Sequence, residues 1–389
     1  MASITPIFVV GVPRSGTTLL ASILSAHPAI HAGPETHFFE EFDRRRPPAP
    51  SWTKKWVSDA VQWLMQIQHV GGAVPLNAGL TPNDLCDHLS SVPPSYRALL
   101  ESLVVPQMRR AGKTRWLEKT PNHIAHLPTL RHLFPESHVV RIVRDPRDTI
   151  HSLLNVPWGT SSLPAAVSMF ADNYFPGERF CESDSNTITI RYEDLVTCTS
   201  SVLKSIGEFV KESFDPHSDR SKSSAEVNRT IEPWKAKVSQ KIDPTRAGSW
   251  AQSMPESDQR FIEALLGEPI DQHLYPRRFF PRGTYLQVMP IRGLEDCPSL
   301  VQTIADGTLG ESSLSTIVLA GKPDPQRILD RPTGSRLAML AELTTRLAGW
   351  TMSGRRVIWW DESRSPYRGR MTRCMQTLLK PYRVTRVAC

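Results

Sequence analysis

A chain of 389 residues with 40% hydrophobic and 22% charged residues can bury a sizeable core, and its 33 prolines are spread too widely for a disordered tract. The formal charge of +7 favours anionic partners, but the basic residues do not interleave with aromatics as in nucleic-acid motifs, so no nucleic-acid partner is expected. Six cysteines form no CxxC pair, no HExxH motif occurs and no run approaches the ~20 apolar residues of a membrane span, so neither a metal site nor a transmembrane segment is expected.

Residues 6–12 read as a short buried parallel strand, apolar and β-branched. The loop PRSGTT follows, and then Leu19, Leu20, Ile23 and Leu24 recur at helical spacing until His27–Pro28 ends the helix. Residues 43–56 read as a basic, proline-broken loop. The segments 57–69 and 97–111 read as helices, and 115–119 and 138–144 as core strands. Residues 146–154 read as a helix and 187–192 as another strand, whereas 213–258 is polar and reads as loop with short helices. Strands alternating with helices predict an α/β fold of three layers around a central parallel sheet. Beyond residue 282 the pattern restarts, with strands at 316–320, 355–361 and 382–388 and helices at 335–349 and 367–380. The expected division is therefore a domain over 1–282 and a small accessory α/β module of unknown role over 283–389. The N-terminus has no basic n-region, and the run Ile7–Val10 is too short for the apolar part of a signal peptide, so a cytoplasmic enzyme is expected.

The segment Gly11-Val12-Pro13-Arg14-Ser15-Gly16-Thr17-Thr18 has the order of a P-loop: strand, glycine-flanked turn, helix start. Backbone N–H groups at such a start point at an anion, and the helix dipole favours it. A nucleotide-hydrolase P-loop ends in Gly-Lys-Ser/Thr. Here Thr17 and Thr18 follow Gly16, and the cation, Arg14, sits inside the loop. That suits a 5′-phosphate bearing one further group better than a triphosphate.

With these residues in view, GVPRSGTTLL followed by LSAHPAIHAGPETHFF resembles the 5′-phosphosulfate-binding region of sulfotransferases that use 3′-phosphoadenosine 5′-phosphosulfate (PAPS), nearest to the tyrosylprotein sulfotransferase branch and its bacterial relatives. VRDPRDTIHS, residues 143–152, resembles the family's 3′-phosphate segment, in which Arg144 and Ser152 hold the spacing of its arginine and serine. RYEDLV, residues 191–196, resembles a motif whose tyrosine, here Tyr192, lies by the nucleotide. The stretch from Ile242 to Trp250, with Arg246 and Gly248, resembles more loosely a late loop that closes over it. The likeness covers residues 6–275. His37 stands where the tyrosylprotein branch has arginine, and no basic residue follows Ser152 before residue 160, where that branch has one.

The resemblance implies a sulfuryl transferase acting on an acceptor hydroxyl with PAPS as donor, 3′-phosphoadenosine 5′-phosphate (PAP) as product and no metal. It assigns Glu35 as general base. Arg14 would hold the 5′-phosphate, with Ser15, Gly16, Thr17 and Thr18 as further donors, and Lys119 would serve the transferring sulfate and bridging oxygen. Arg144 offers phosphate a bidentate fork and Ser152 a hydroxyl. His123 is the rival base: other branches use a histidine two residues after such a lysine, whereas here it lies four after. Carbohydrate, peptide tyrosine, lipid and small metabolite all stay open as acceptors, their pockets expected from loops at 43–113 and 155–180, and a homodimer is allowed. Two readings compete: a P-loop small-molecule kinase, with Asp145 ending a Walker-B-like strand, and a non-catalytic nucleotide-binding scaffold.

Overall fold

The computed structural model describes residues 5–160, 162–218, 223 and 242–282, together with strands at 287–289, 316–320, 356–361 and 385–388. The chain runs through β1 (Ile7–Val10), α1 (Thr17–Ser25), β2 (Ile30–Ala32), α2 (Phe38–Arg44) and α3 (Lys54–Met65). A hairpin of β3 (Gln68–His69) and β4 (Gly72–Ala73) follows, then α4 (Val74–Asn77), α5 (Pro82–Ser91) and α6 (Tyr96–Arg110). Next come β5 (Arg115–Lys119), a 3₁₀ turn at Pro121–His126, α7 (Leu127–Leu133), β6 (His138–Val143), α8 (Pro146–Leu154) and α9 (Leu163–Cys181). The remainder comprises β7 (Thr187–Arg191), α10 (Tyr192–Thr197), α11 (Thr199–Val210), a 3₁₀ turn at Pro244–Arg246, α12 (Trp250–Ser253), α13 (Glu256–Leu265), α14 (Gly267–Gln272), β8 (Gln287–Met289), β9 (Thr316–Ala320), β10 (Arg356–Asp361) and β11 (Thr385–Ala388).

Two compact units partition the chain: Met1–Arg144 with Asp172–Gly248, and Asp145–Ala171 with Ser249–Cys389. The expected division at 282/283 falls inside the second unit.

The first unit is built on a five-stranded sheet of order β2-β5-β1-β6-β7, parallel throughout. Strand alternation sends successive side chains to opposite faces. Phe8, Val10, Trp116 and Val139 enter one apolar cluster with residues of α2, α3, α5 and α6. Ile7, Val9, Leu117, Val140 and Ile142 enter the other, with residues of α1, α10 and α11. Both faces are thus covered, as an all-parallel sheet requires, and the three layers expected from the sequence are present. The same alternation splits the end of β5, placing Glu118 on the face of Trp116 and Lys119 on the face of Leu117.

In the second unit Arg147 is fully buried on α8. It forms paired hydrogen bonds with Asp145 at 2.9 and 2.7 Å, bonds Glu263 at 3.1 Å and lies 3.7 Å from the Trp250 ring centroid. Asp148 accepts from the Trp250 backbone N–H and the Ser249 hydroxyl, both at 2.9 Å. The carboxylate of Glu263 also accepts the backbone N–H groups of Arg278, Phe279 and Phe280, turning the chain after α14. A separate parallel sheet of order β11-β10-β9-β8 supplies the strands expected at the C-terminus and adds β8. The helices expected at 335–349 and 367–380 lie outside the described residues.

Two loop expectations are corrected. Residues 43–113 are largely helical, and 163–181 is the helix α9. Pro164 falls in its first turn, where no N–H is needed, and only Pro176 breaks its ladder. No helix among the described residues is long and apolar enough to cross a membrane.

Candidate active site

Because the strands of the first sheet are parallel, their C-terminal ends line one edge. Arg14 follows β1, Glu35 follows β2, Lys119 ends β5, Arg144 follows β6 and Tyr192 follows β7. Five side chains singled out from separate stretches of sequence are thus carried to the edge where open parallel sheets place their ligands.

The phosphate loop is locked internally. The Ser15 N–H and hydroxyl both reach the Val12 carbonyl, at 3.1 and 2.5 Å, so Ser15 spends its hydroxyl on the turn. Gly16 caps α1 with φ of 101°, and no side chain caps that helix, which leaves the first-turn N–H groups to meet an anion. A Cβ on Gly16 would stand 2.5 Å from the Tyr192 ring, and one on Gly11 2.4 Å from the Ile142 carbonyl oxygen. Glycine is therefore needed at both positions for close approach.

Arg144 ties three predicted segments together. Its guanidinium donates to the Arg14 carbonyl at 3.3 Å and the Arg246 carbonyl at 2.9 Å, and lies 4.4 Å from the centroid of the Tyr192 ring. Arg246 ends a 3₁₀ turn capped by Asp243, and Gly248 follows with φ of 77°.

Glu35 and Lys119 form the polar centre. The Lys119 ammonium donates to Glu35 Oε1 at 2.5 Å and reaches Thr18 Oγ1 at 3.5 Å, linking the carboxylate to the phosphate loop. Both side chains are nearly buried, 6% exposed for Lys119 and 10% for Glu35. The segment carrying Glu35 is pinned to β5: the Thr36 N–H donates to Thr120 Oγ1 at 2.9 Å, and the Thr36 hydroxyl to Glu118 at 2.9 Å. His37, in a left-handed conformation with φ of 50°, sets Nε2 3.5 Å from Glu35 Oε2 and Nδ1 3.3 Å from Glu40 Oε2. Burial opposes a charge on this ring, but the carboxylates of Glu35 and Glu40 outweigh it and raise its pKa to about 9. The His69 ring, on the hairpin, lies 4.3 Å from that of His37, centroid to centroid.

The model of the Sulfotransferase family matches residues 6–216, more than half of the sequence. The chain belongs to the sulfotransferase family. Similar to it are a putative protein-tyrosine sulfotransferase of Caenorhabditis briggsae, 31% identical over 42% of this chain and 49% of the relative, and the nodulation protein NoeE of Sinorhizobium fredii, 28% identical over 42% and 36%. This family member spans about half or less of the length of those curated relatives. Among solved structures, the sulfotransferase domain of the Synechococcus PCC 7002 olefin synthase is 20% identical, covering 72% of this chain and 98% of its own, with a TM-score of 0.47. Mouse sulfotransferase SULT7A1 complexed with PAP is 16% identical over 69% and 84%, with a TM-score of 0.39.

Within this family member one sequence candidate, His123, is turned into the core rather than toward the sheet edge. His123 is fully buried beside Glu118; its Nδ1 bonds Glu118 at 3.0 Å and its Nε2 accepts the Phe39 N–H at 3.3 Å. Both ring nitrogens are therefore engaged within the core, with no lone pair to offer a substrate. Ser152 lies two turns along α8, in the second unit. Sequence reasoning passed over Glu40 and His69, which no local spacing links to Glu35. It also passed over the coupling of Arg147 and Asp148 to Trp250, although both motifs had been singled out. The basic run is partly neutralised, Arg44 and Arg45 by Glu41 and Lys55 by Asp59.

Proposed function

We propose that this protein transfers a sulfuryl group from PAPS to an acceptor hydroxyl, with Glu35 as general base. The observation that carries the proposal is the row Glu35–Lys119–Thr18, in which a carboxylate, an ammonium and the phosphate loop lie within hydrogen-bond reach of one another. The residues fit the donor: an uncapped helix start, Arg14 inside the loop and Arg144 beside it suit a nucleotide carrying charge at two positions. Bound there, PAPS would supply an electron-poor sulfur and a phosphate leaving group.

Glu35 takes the proton of the acceptor hydroxyl as its oxygen bonds to sulfur. Arg14, Lys119 and the N–H groups of the loop stabilise the phosphate oxygen that keeps the electron pair of the breaking S–O bond. Thr17 and Thr18 add hydroxyl donors, and Arg144, Tyr192 and Arg246 serve the nucleotide. This is positioning and charge stabilisation rather than covalent chemistry on the protein. A hydroxyl is the acceptor class, and relatives named for protein tyrosine support a peptide tyrosine among its candidates.

The kinase alternative needs a carboxylate for magnesium after β6. Asp145 stands there, but both its oxygens are engaged by Arg147. Thermal stabilisation by PAP against ATP with magnesium separates the two. Ligand at 100 times its Kd adds about 2.7 kcal/mol. Stabilisation by PAP supports the transferase; stabilisation by magnesium ATP alone overturns it.

A further inference from the structure

We propose that Glu35, His37 and His69 form a binding site for a divalent transition ion of the zinc class, and that filling it blocks turnover by taking the Glu35 carboxylate. The inhibitory half rests on Glu35 as base; the binding half does not.

One ligand atom from each of the three side chains lies within 4.8 Å of the others. Zinc bonds imidazole nitrogen and carboxylate oxygen at about 2.0–2.2 Å, so ligand atoms of a tetrahedral site stand about 3.3–3.5 Å apart. The 3.5 Å between His37 Nε2 and Glu35 Oε2 already meets that spacing. The His69 donor then needs only a small inward shift, and the hairpin that carries it packs its ring on that of His37.

A second observation points the same way. Metal-ligating histidines commonly pass their other ring N–H to a carboxylate, which fixes the tautomer and ring plane. His37 has that arrangement, with Nδ1 3.3 Å from Glu40. The backbone on which His37 sits is held as well, through Thr120 and the start of α2. Two imidazoles and one carboxylate select zinc, copper, nickel or cobalt over magnesium or calcium. Three protein ligands leave a fourth position open to solvent or an acceptor oxygen. Coordination through Oε2 leaves Oε1 to Lys119, so the ion can enter without dismantling the Lys119 contact. An ion on Oε2 withdraws the electron pair that a base must offer, which makes it an inhibitor.

The test is a zinc titration of the full chain by calorimetry, with cobalt absorption reporting geometry, and turnover followed with and without zinc. The expected result is one ion per chain with a tetrahedral cobalt spectrum, and turnover lost on zinc addition and restored by a chelator. His69→Ala and His37→Asn, the latter suited to the left-handed backbone, are each expected to weaken binding at least tenfold. Each variant's turnover with zinc is normalised to its own rate without it. Glu40→Gln is expected to weaken binding by about 10–100-fold. Zinc affinity unchanged in His69→Ala, or no stoichiometric binding to wild type, overturns the site; binding without inhibition overturns the blocking role. Turnover of Glu35→Gln in metal-free buffer judges the base separately, because the calorimetric result does not depend on it.

Discussion

The guanidinium of Arg144 lies 4.4 Å from the ring centroid of Tyr192, the residue against which Gly16 is packed. The end of β6, the start of α10 and the phosphate loop are thereby one assembly. Arg144→Lys keeps the charge but loses the planar fork that reaches the Arg14 and Arg246 carbonyls. PAP affinity by calorimetry is expected to fall about 10–100-fold, with little change in the unfolding temperature of the free protein.

Gly16→Ala challenges the same assembly from the loop side. A Cβ there meets the Tyr192 ring at 2.5 Å, on a backbone with φ of 101°. Left-handed strain alone costs about 1–2 kcal/mol, and the ring has to move as well. Destabilisation of about 2 kcal/mol and loss of PAP binding are expected from chemical denaturation and calorimetry. Wild-type PAP affinity in this variant would show that the loop does not need the close approach.

Lys119→Met removes the cation between the base and the loop while keeping the stem. Loss of one preorganised charge-stabilising group costs about 10²–10³ in rate. Turnover is expected to fall by that factor, with PAP affinity falling less than tenfold, as steady-state kinetics and calorimetry would read.

His88 on α5 is buried, and neither ring nitrogen has a hydrogen-bond partner among the described residues. Burial, helped by the charge of Arg109, pushes its pKa down to about 4 from an ordinary value of 6.5. The folded chain therefore refuses a proton that the unfolded chain accepts. Its contribution to stability is fully present above pH 6.5 and is lost as pH falls toward 4, by about 3 kcal/mol in all. Denaturant unfolding at pH 7 and pH 5 should show His88→Leu losing less stability than wild type; equal losses would exclude His88 as a source of the acid sensitivity.

Much of this was legible in the sequence where a local pattern and its boundary coincide. The strand at 115–119 holds Trp116 and Leu117 ahead of Pro121, the helix at 146–154 opens on Pro146 with Ile150, Leu153 and Leu154 at helical spacing, and both form over those residues. The three-residue strand β2 is too short to show a period, and α9 is disguised by two prolines. The site divides in the same way. Arg14, Glu35, Lys119, Arg144 and Tyr192 each follow or end a strand, so a parallel sheet alone brings them to one edge. His123 sits just past that edge too, yet it folds back beside Glu118, whose place on the opposite face of β5 follows from alternation only once the register is known. The approach of His69 to His37 depends on a hairpin 32 residues downstream and leaves no local signature.

The most direct measurement is the Glu35→Gln variant, examined for PAP affinity and for sulfuryl transfer from labelled PAPS to the acceptor pool. Gln keeps the shape and an oxygen for Lys119 but cannot accept the proton. PAP affinity within about threefold of wild type, with turnover down by about 10²–10⁴, is the expected pair of results. Transfer at the wild-type rate would contradict the role of Glu35 and return the search for a base to the remaining side chains at the sheet edge.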